Sequence, residues 1–155
     1  MYNYVIYALA ALAVLIAAGS IFFSSSEVKK YKKLLTVGTT SLEECYYVFG
    51  VGLLAVIFIL VNNGKGMDKT VAIIYLAVLL LLSVCAFMII ASKVLISENE
   101  ITVIAPFKKP AVYDIKDVTV KKEKGNYVFY VNDKKLCSLS QKDKRAEKLK
   151  EIFDI

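Results

Sequence analysis

The sequence predicts a membrane protein with three transmembrane α-helices and a small α+β domain on the cytosolic side. Three windows without a charged residue, 1–26, 45–64 and 70–92, carry the first part of this prediction. An uncharged apolar run of about 18 residues or more is long enough to span a bilayer. After residue 92 the pattern changes to short runs rich in β-branched and aromatic residues, which are typical of strands. We therefore divide the chain into a transmembrane region at 1–92 and a cytosolic domain at 93–155.

The first span is expected at about residues 5–23, and we expect it to stay on the protein as an anchor. A cleaved signal peptide begins with a positively charged segment, whereas the residues before this span carry no charge. Ala13 and Ala17 lie four residues apart, a spacing of small residues that lets two membrane helices approach closely.

The loop at 24–44 is basic, and its lysines are Lys29, Lys30, Lys32 and Lys33. Ser26 can cap a short helix here. The apolar face of that helix would consist of Val28, Tyr31, Leu34 and Leu35. Two interpretations are equally open: the segment lies on an anionic leaflet as a basic amphipathic helix, or its lysines only fix the topology of the chain.

The second and third spans are expected at about 45–61 and 70–92, joined by a short polar turn, so that they form a helical hairpin. Ser41 and Glu44 have the spacing of a capping box, in which each side chain bonds the backbone N–H of the other residue. Asp68 is placed to cap the third span.

The distribution of lysine and arginine predicts the orientation, because cytoplasmic loops of membrane proteins are enriched in both residues. No basic residue precedes the first span, four lie in the first loop, two in the hairpin turn and fourteen after the third span. This distribution puts the N-terminus outside and the C-terminal domain in the cytoplasm. The excess of lysine over arginine and the lack of a presequence favour a bacterial plasma membrane.

The composition argues against several classes of function. Without histidine, the commonest general base and metal ligand is missing. The cysteines Cys45, Cys85 and Cys137 form no CxxC pair and are expected to be separate buried thiols. A single arginine among 20 basic residues argues against nucleic-acid recognition. We therefore expect no enzyme, no catalytic or cofactor-binding residue, no metal site and no nucleic-acid partner.

The domain at 93–155 is expected to be an antiparallel meander capped by a helix. Its roughly five strands are expected at 94–96, 101–104, 113–120, 127–131 and 134–139. Hairpin turns are expected at 124–126 and 132–133. Ser140 and Asp143 resemble the start of a capped helix. The apolar stripe of this helix would consist of Ala146, Leu149, Ile152 and Phe153.

This domain resembles the bacterial pleckstrin-homology-like domains of small membrane proteins. The resemblance rests on the segment Tyr113-Asp114-Ile115-Lys116-Asp117-Val118, on the strand hairpin after it and on the final amphipathic helix. It covers residues 93–155, a segment shorter than a full seven-stranded pleckstrin-homology barrel. It implies a binding or assembly module without catalytic residues, and it names no ligand.

One loop of the domain carries Phe107 beside Lys108 and Lys109, with a proline on each side. The ring could dip into the inner leaflet while the two ammonium groups contact lipid phosphate. Alternatively, the loop is a solvated connection with Phe107 packed on the sheet, because loop aromatic residues usually need no special role. In the first interpretation the lysines of this loop and of the loop at 24–44 form one basic collar.

These observations predict a non-enzymatic integral membrane protein that acts as a tethered interaction or assembly module near the inner leaflet. Its expected partners are the anionic lipid surface and another protein or a second copy of the chain. A pore-forming or carrier subunit is the alternative from another class. The spans contain no ionisable Asp, Glu, Lys, Arg or His, which argues against that alternative, and bilayer conductance would separate the two.

Overall fold

The computed structural model of the protein describes residues 2–153, with side chains at 4–63 and 66–153. The chain forms two compact units. The helical unit comprises the residues up to Ser25 together with Thr39–Ala91. The β unit comprises Ser26–Gly38 together with the residues from Ser92 onward. The sequence-based division left residues 26–38 with the membrane region, whereas in the structure they group with the C-terminal domain.

The helical unit contains three long helices, α1 (Tyr2–Lys29), α2 (Ser41–Lys65) and α3 (Lys69–Ala91). The shortest of them has 23 residues. At about 1.5 Å per residue it is longer than the roughly 30 Å of a bilayer's hydrocarbon core. All three helices are long and apolar enough to cross a membrane.

Helices α1 and α3 each bury a narrow stripe whose members recur at alternating steps of four and three residues. The stripe of α1 consists of Ile6, Ala10, Ala13, Ala17, Ser20 and Ser24. The stripe of α3 consists of Ala72, Leu76, Leu79, Ser83, Ala86 and Ile90. A repeat of about 3.5 residues is that of left-handed helix packing. Fully buried alanines on α1 agree with the close helix approach that their spacing predicts.

Two of the serines in these stripes bond their own helices. The Ser20 hydroxyl donates to the carbonyl oxygen of Ala17 at 2.5 Å, and the Ser83 hydroxyl donates to that of Leu79 at 2.8 Å. A hydroxyl that is satisfied inside its own helix can lie at membrane depth without a partner elsewhere.

The caps of the hairpin helices agree with the sequence at α3 and differ at α2. Asp68 caps α3 as predicted, because its carboxylate accepts from the Thr70 N–H at 3.0 Å. The capping box of α2 is formed by Thr40 and Glu43, so the predicted pair Ser41 and Glu44 is wrong. The segment Thr-Thr-Ser-Leu-Glu-Glu allows a box in either register. The helix begins at Ser41, which leaves Thr40 as the capping residue.

In its described residues the β unit contains seven strands in two antiparallel sheets and one α-helix that follows them. The first sheet, sheet A, has the order β1 (Leu35–Val37), β2 (Lys93–Ile96), β3 (Glu100–Ile104) and β4 (Ala111–Asp114). The second, sheet B, has the order β5 (Val118–Glu123), β6 (Asn126–Val131) and β7 (Lys134–Ser140). Helix α4 (Arg145–Phe153) follows β7.

The first strand of sheet A comes from the loop between α1 and α2. The amphipathic helix predicted there is wrong, because α1 continues to Lys29 and Leu35 lies in β1, opposite Ile96 of β2. The segment Leu35–Val37 buries its two outer side chains in the core, as an alternating strand does. In the sequence, the hairpin of α2 and α3 is therefore inserted between the first two strands of one sheet, which pair directly in the structure.

The single meander expected after residue 93 is also wrong, because the strand predicted at 113–120 is broken in two. The Asp114 carboxylate accepts from the Lys116 N–H at 2.9 Å and starts a short 3₁₀ turn at Ile115–Asp117. The Ile115 N–H still donates to the Asn99 carbonyl oxygen at 2.9 Å, in register with the pair Glu100 and Asp114, so the turn begins directly after the last pairing with the β3 side. The chain then enters the second sheet.

Both predicted hairpin turns are present. Lys124 and Gly125 have positive φ angles of 45° and 80°, and Asn132 and Asp133 have φ angles of 47° and 60°. Two central residues with positive φ define the tight turn that matches the twist of a hairpin.

Helix α4 packs on the core through the predicted stripe. Leu149 is fully buried, and the Phe153 ring meets the Phe129 ring edge to face with centroids 5.7 Å apart. The helix starts later than predicted, at Arg145, because Ser140 still belongs to β7. The Asp143 carboxylate accepts from the Arg145 N–H at 2.9 Å and caps the helix.

Candidate membrane-contact surface

The turn between β3 and β4 displays an aromatic side chain beside two lysines. Phe107 is 87% exposed, and Lys108 and Lys109 are exposed as well. The expectation that Phe107 packs on the sheet is therefore wrong. Its φ of 61° belongs to the left-handed region, which is sparsely populated by bulky residues. The turn is closed by a hydrogen bond from the Lys108 N–H to the Ala105 carbonyl oxygen at 3.3 Å.

The strand register places this turn at the end of sheet A where β1 leads into α2 and α3 leads into β2, whereas α1 leads into β1 at the opposite end. Ile104, the last residue of β3, lies opposite Lys93, the first residue of β2. Val37, the last residue of β1, lies opposite Val94 at the same end. From this end the chain runs back to α3 and forward to α2 within a few residues.

The lysines of the first loop lie elsewhere. Lys29 ends α1, and Lys30 forms an ion pair with Glu27. Lys32 and Lys33 come just before β1, whose first residue is opposite the last residue of β2. They lie at the end of sheet A opposite to the turn that carries Phe107. A strand of four residues is about 13 Å long, so the structure does not bring the two groups of lysines together.

Lys32 and Lys33 instead line a polar cleft of about 480 Å³. Its other wall is the β2–β3 turn, with Glu98 and Glu100. Two lysines facing two carboxylates make this cleft close to neutral, which is a poor setting for an anionic lipid surface. Of the seven residues singled out from the sequence, Phe107, Lys108 and Lys109 form one exposed group, at the end of sheet A where the chain connects to α2 and α3.

The positive charge of the protein is concentrated in the β unit. Residues 26–38 and 92–155 hold 18 of the 20 basic residues and 11 of the 14 acidic ones, a net charge of +7. The remaining residues carry a net charge of −1.

The thiols do not form a reactive site among the described residues. Cys45 and Cys85 are exposed on their helices, so the expectation that they are buried is wrong. Cys137 is half-buried in β7, and burial raises its pKa to about 12, so it remains a thiol at neutral pH. In the part of the chain that the structure describes, no group of three or more histidine, cysteine, aspartate or glutamate residues could hold a metal ion.

Sequence reasoning missed one residue of the β unit, Arg145. Its guanidinium bonds backbone carbonyls of the first loop, more than one hundred residues away in the chain. The signal was present, because Arg145 is the one arginine among 19 lysines. It served only as an argument against nucleic-acid binding.

The sequence matches the model of a family of unknown function, DUF6560, over residues 30–152. The matched segment begins shortly before β1 and ends within α4, so it includes the inserted hairpin and all seven strands. All of α1 lies outside it. No curated protein and no solved structure matches the chain.

Proposed function

We propose that this chain, which belongs to the DUF6560 family of unknown function, is a non-enzymatic membrane protein that tethers a small interaction or assembly domain at the inner leaflet. The single observation that carries the proposal is the pairing of β1 with β2 across the inserted hairpin. Two strands of one sheet must lie on the same side of a membrane. The β unit is then joined to α2 and α3 by two neighbouring connections, besides the one that leads from α1 into β1.

The two connections are close together as well as short. A Cβ atom on Gly38, just after β1, would lie 3.1 Å from the carbonyl oxygen of Ser92, just before β2. Gly38 also has a φ of 142°, a conformation that glycine adopts without strain. This double attachment supports a domain that stays near the bilayer surface.

Phe107, Lys108 and Lys109 supply the proposed lipid contact. A lysine close to an anionic leaflet contributes about 1 kcal/mol, and burying a phenylalanine ring contributes about 1.5–3 kcal/mol. The contact would add to the covalent tether and fix the orientation of the domain. The net charge of +7 in residues 26–38 and 92–155 supports a cytoplasmic location, since positive segments are retained there.

We also propose that the β unit is a domain of the pleckstrin-homology-like type. With β1 included, the β unit has seven strands and a final helix, the strand number of a full pleckstrin-homology barrel. The first strand is separated from the second by the membrane hairpin, which explains why the segment after residue 92 is too short on its own. The proposed role as a binding or assembly module is supported by this resemblance in strand number.

Tryptophan fluorescence can test the lipid contact, because the chain contains no tryptophan. Full-length protein carrying Phe107→Trp is reconstituted into vesicles that contain acyl-chain-brominated anionic lipid. The matched control is Asn99→Trp, an exposed position at the opposite end of sheet A. We expect the bromine atoms to quench Trp fluorescence in Phe107→Trp and not in Asn99→Trp. Equal quenching in both variants, or none in either, would contradict the lipid contact.

A further inference from the structure

Arg145 uses its whole guanidinium group to connect two distant segments of the β unit. One terminal nitrogen, Nη1, donates to the carbonyl oxygens of Thr36 and Gly38, each at 3.1 Å. The other nitrogens, Nε and Nη2, bond the carboxylate of Asp143 at 2.6–3.1 Å. The side chains of Arg145 and Asp143 are about three-quarters buried.

The geometry explains why this one basic residue is an arginine. A guanidinium offers five N–H donors in a rigid plane, so it can bind a carboxylate on one edge and two carbonyls on the other. A lysine ammonium is a compact charge on a flexible stem and cannot hold both edges. The other 19 basic residues of the chain are lysines.

The two segments that Arg145 joins are the first turn of α4 and the exit of β1. Helix α4 lies against β1. Thr36 is the middle residue of that strand, and Gly38 directly follows its last residue. Two residues after Gly38, Thr40 forms the capping box that begins α2. A displacement of residues 36–38 is therefore transmitted along the chain to the start of α2.

Both partners are marginal by themselves. Helix α4 has 9 residues, fewer than an isolated helix needs to persist in water. Strand β1 has 3 residues and lies at the edge of its sheet. Elements this short depend on their tertiary contacts. Because Arg145 bonds both of them, the stability of α4 and the stability of β1 depend on each other.

We infer that Arg145 is a clasp that couples the docking of the C-terminal helix to the anchoring of β1. When α4 is docked, Arg145 fixes the β1 exit and with it the chain that starts α2. When a binding event or a mutation displaces α4, β1 loosens too. The C-terminal helix is thus a switch element whose state reaches the entrance of the membrane hairpin. This coupling does not depend on the lipid contact proposed above.

Hydrogen–deuterium exchange on the full-length protein in lipid nanodiscs tests the clasp. Arg145→Lys keeps the positive charge and removes the planar guanidinium with its several N–H donors. We expect exchange to become roughly tenfold to a hundredfold faster in both 35–38 and 146–153, the effect of losing charge-assisted hydrogen bonds. Exchange in β5 and β6 should not change. The matched control is Lys148→Arg, an exposed position on the same helix.

A second variant keeps the test decisive if Arg145→Lys disturbs folding. Leu149→Ala weakens α4 through its core contact and leaves every partner of Arg145 in place. Coupling requires that exchange in 35–38 rises in this variant also. A loosened α4 with an unchanged β1, in either variant, would overturn the inference.

Discussion

Thr36 and Leu95 lie opposite each other on neighbouring antiparallel strands, although the whole of α2 and α3 separates them in the chain. One strand of a small sheet is therefore delivered by the loop between two apolar helices. This arrangement makes the β unit discontinuous and ties it to the helical hairpin at two places.

Residues on the two sides of the membrane should be distinguished by an impermeant thiol reagent. In a variant without native cysteines, we expect a cysteine at Asn63, near the hairpin turn, to be labelled from outside intact cells. A cysteine at Lys134, in the β unit, should be labelled only after the membrane is opened. The positive charge of the β unit is the physical reason. The reverse labelling pattern would contradict the orientation.

Removing the charges beside Phe107 should weaken the lipid contact. Lys108→Ala with Lys109→Ala removes about 2 kcal/mol of attraction to an anionic leaflet, which lowers the equilibrium for contact about thirtyfold. The measurement is quenching of Phe107→Trp by brominated lipid, with and without the two changes. Lys32→Ala with Lys33→Ala, at the other end of the sheet, is the matched control and should leave the quenching unchanged. Equal losses from both pairs would show that only total charge matters.

The β unit should fold without the membrane only when β1 is present. Because Gly38 and Ser92 are close together, a short glycine-serine linker can replace residues 39–91. We expect this spliced chain to unfold cooperatively in urea. Residues 92–155 alone lack Leu35 and Val37 of the core, and each buried aliphatic side chain contributes about 1.5–3 kcal/mol. Equal stability of the two chains would show that β1 contributes nothing to the core.

The clasp should open in acid. The Arg145 guanidinium hydrogen-bonds to Asp143 and holds the pKa of that carboxyl below its usual range. In the unfolded chain the pKa of an aspartate is about 3.9, and at pH values above it the ionised carboxylate stabilises the fold. This stabilisation is lost as the pH falls through the lower pKa of the folded protein. The thermal midpoint of the β unit in the full chain should therefore fall on acidification. Asp143→Asn should remove that part of the pH dependence, and an unchanged profile would contradict the ion pair's role.

The helices and most strands follow from sequence because their signals are local. Long uncharged runs mark α1, α2 and α3, and paired turn residues such as Lys124 and Gly125 mark the hairpins. The strand β1 gives no such signal, since 3 residues are too few for periodicity and its partner lies beyond two helices. Its lysine-rich surroundings instead imitate an amphipathic helix.

The candidate site was predictable only in composition. The pattern of one aromatic residue and two lysines between prolines identified the β3–β4 turn. Phe107 is exposed and has a left-handed backbone, a conformation that no propensity favours for phenylalanine. The separation of Lys32 and Lys33 from this turn depends on the strand register. The register of β1 on β2 could not be predicted, because the sequence carries no sign of the strand β1.

Cross-linking of Thr36→Cys with Leu95→Cys tests the central claim, that β1 completes the sheet across the hairpin. The experiment uses full-length protein in membranes with the native cysteines replaced, and mass spectrometry identifies the disulfide. Opposed Cα atoms on antiparallel strands lie about 4.5–5.5 Å apart, within reach of a disulfide. Thr102→Cys with Val112→Cys, an opposed pair on β3 and β4, is the positive control. We expect both pairs to form an intramolecular disulfide. A disulfide in the control pair and none between positions 36 and 95 would contradict the account.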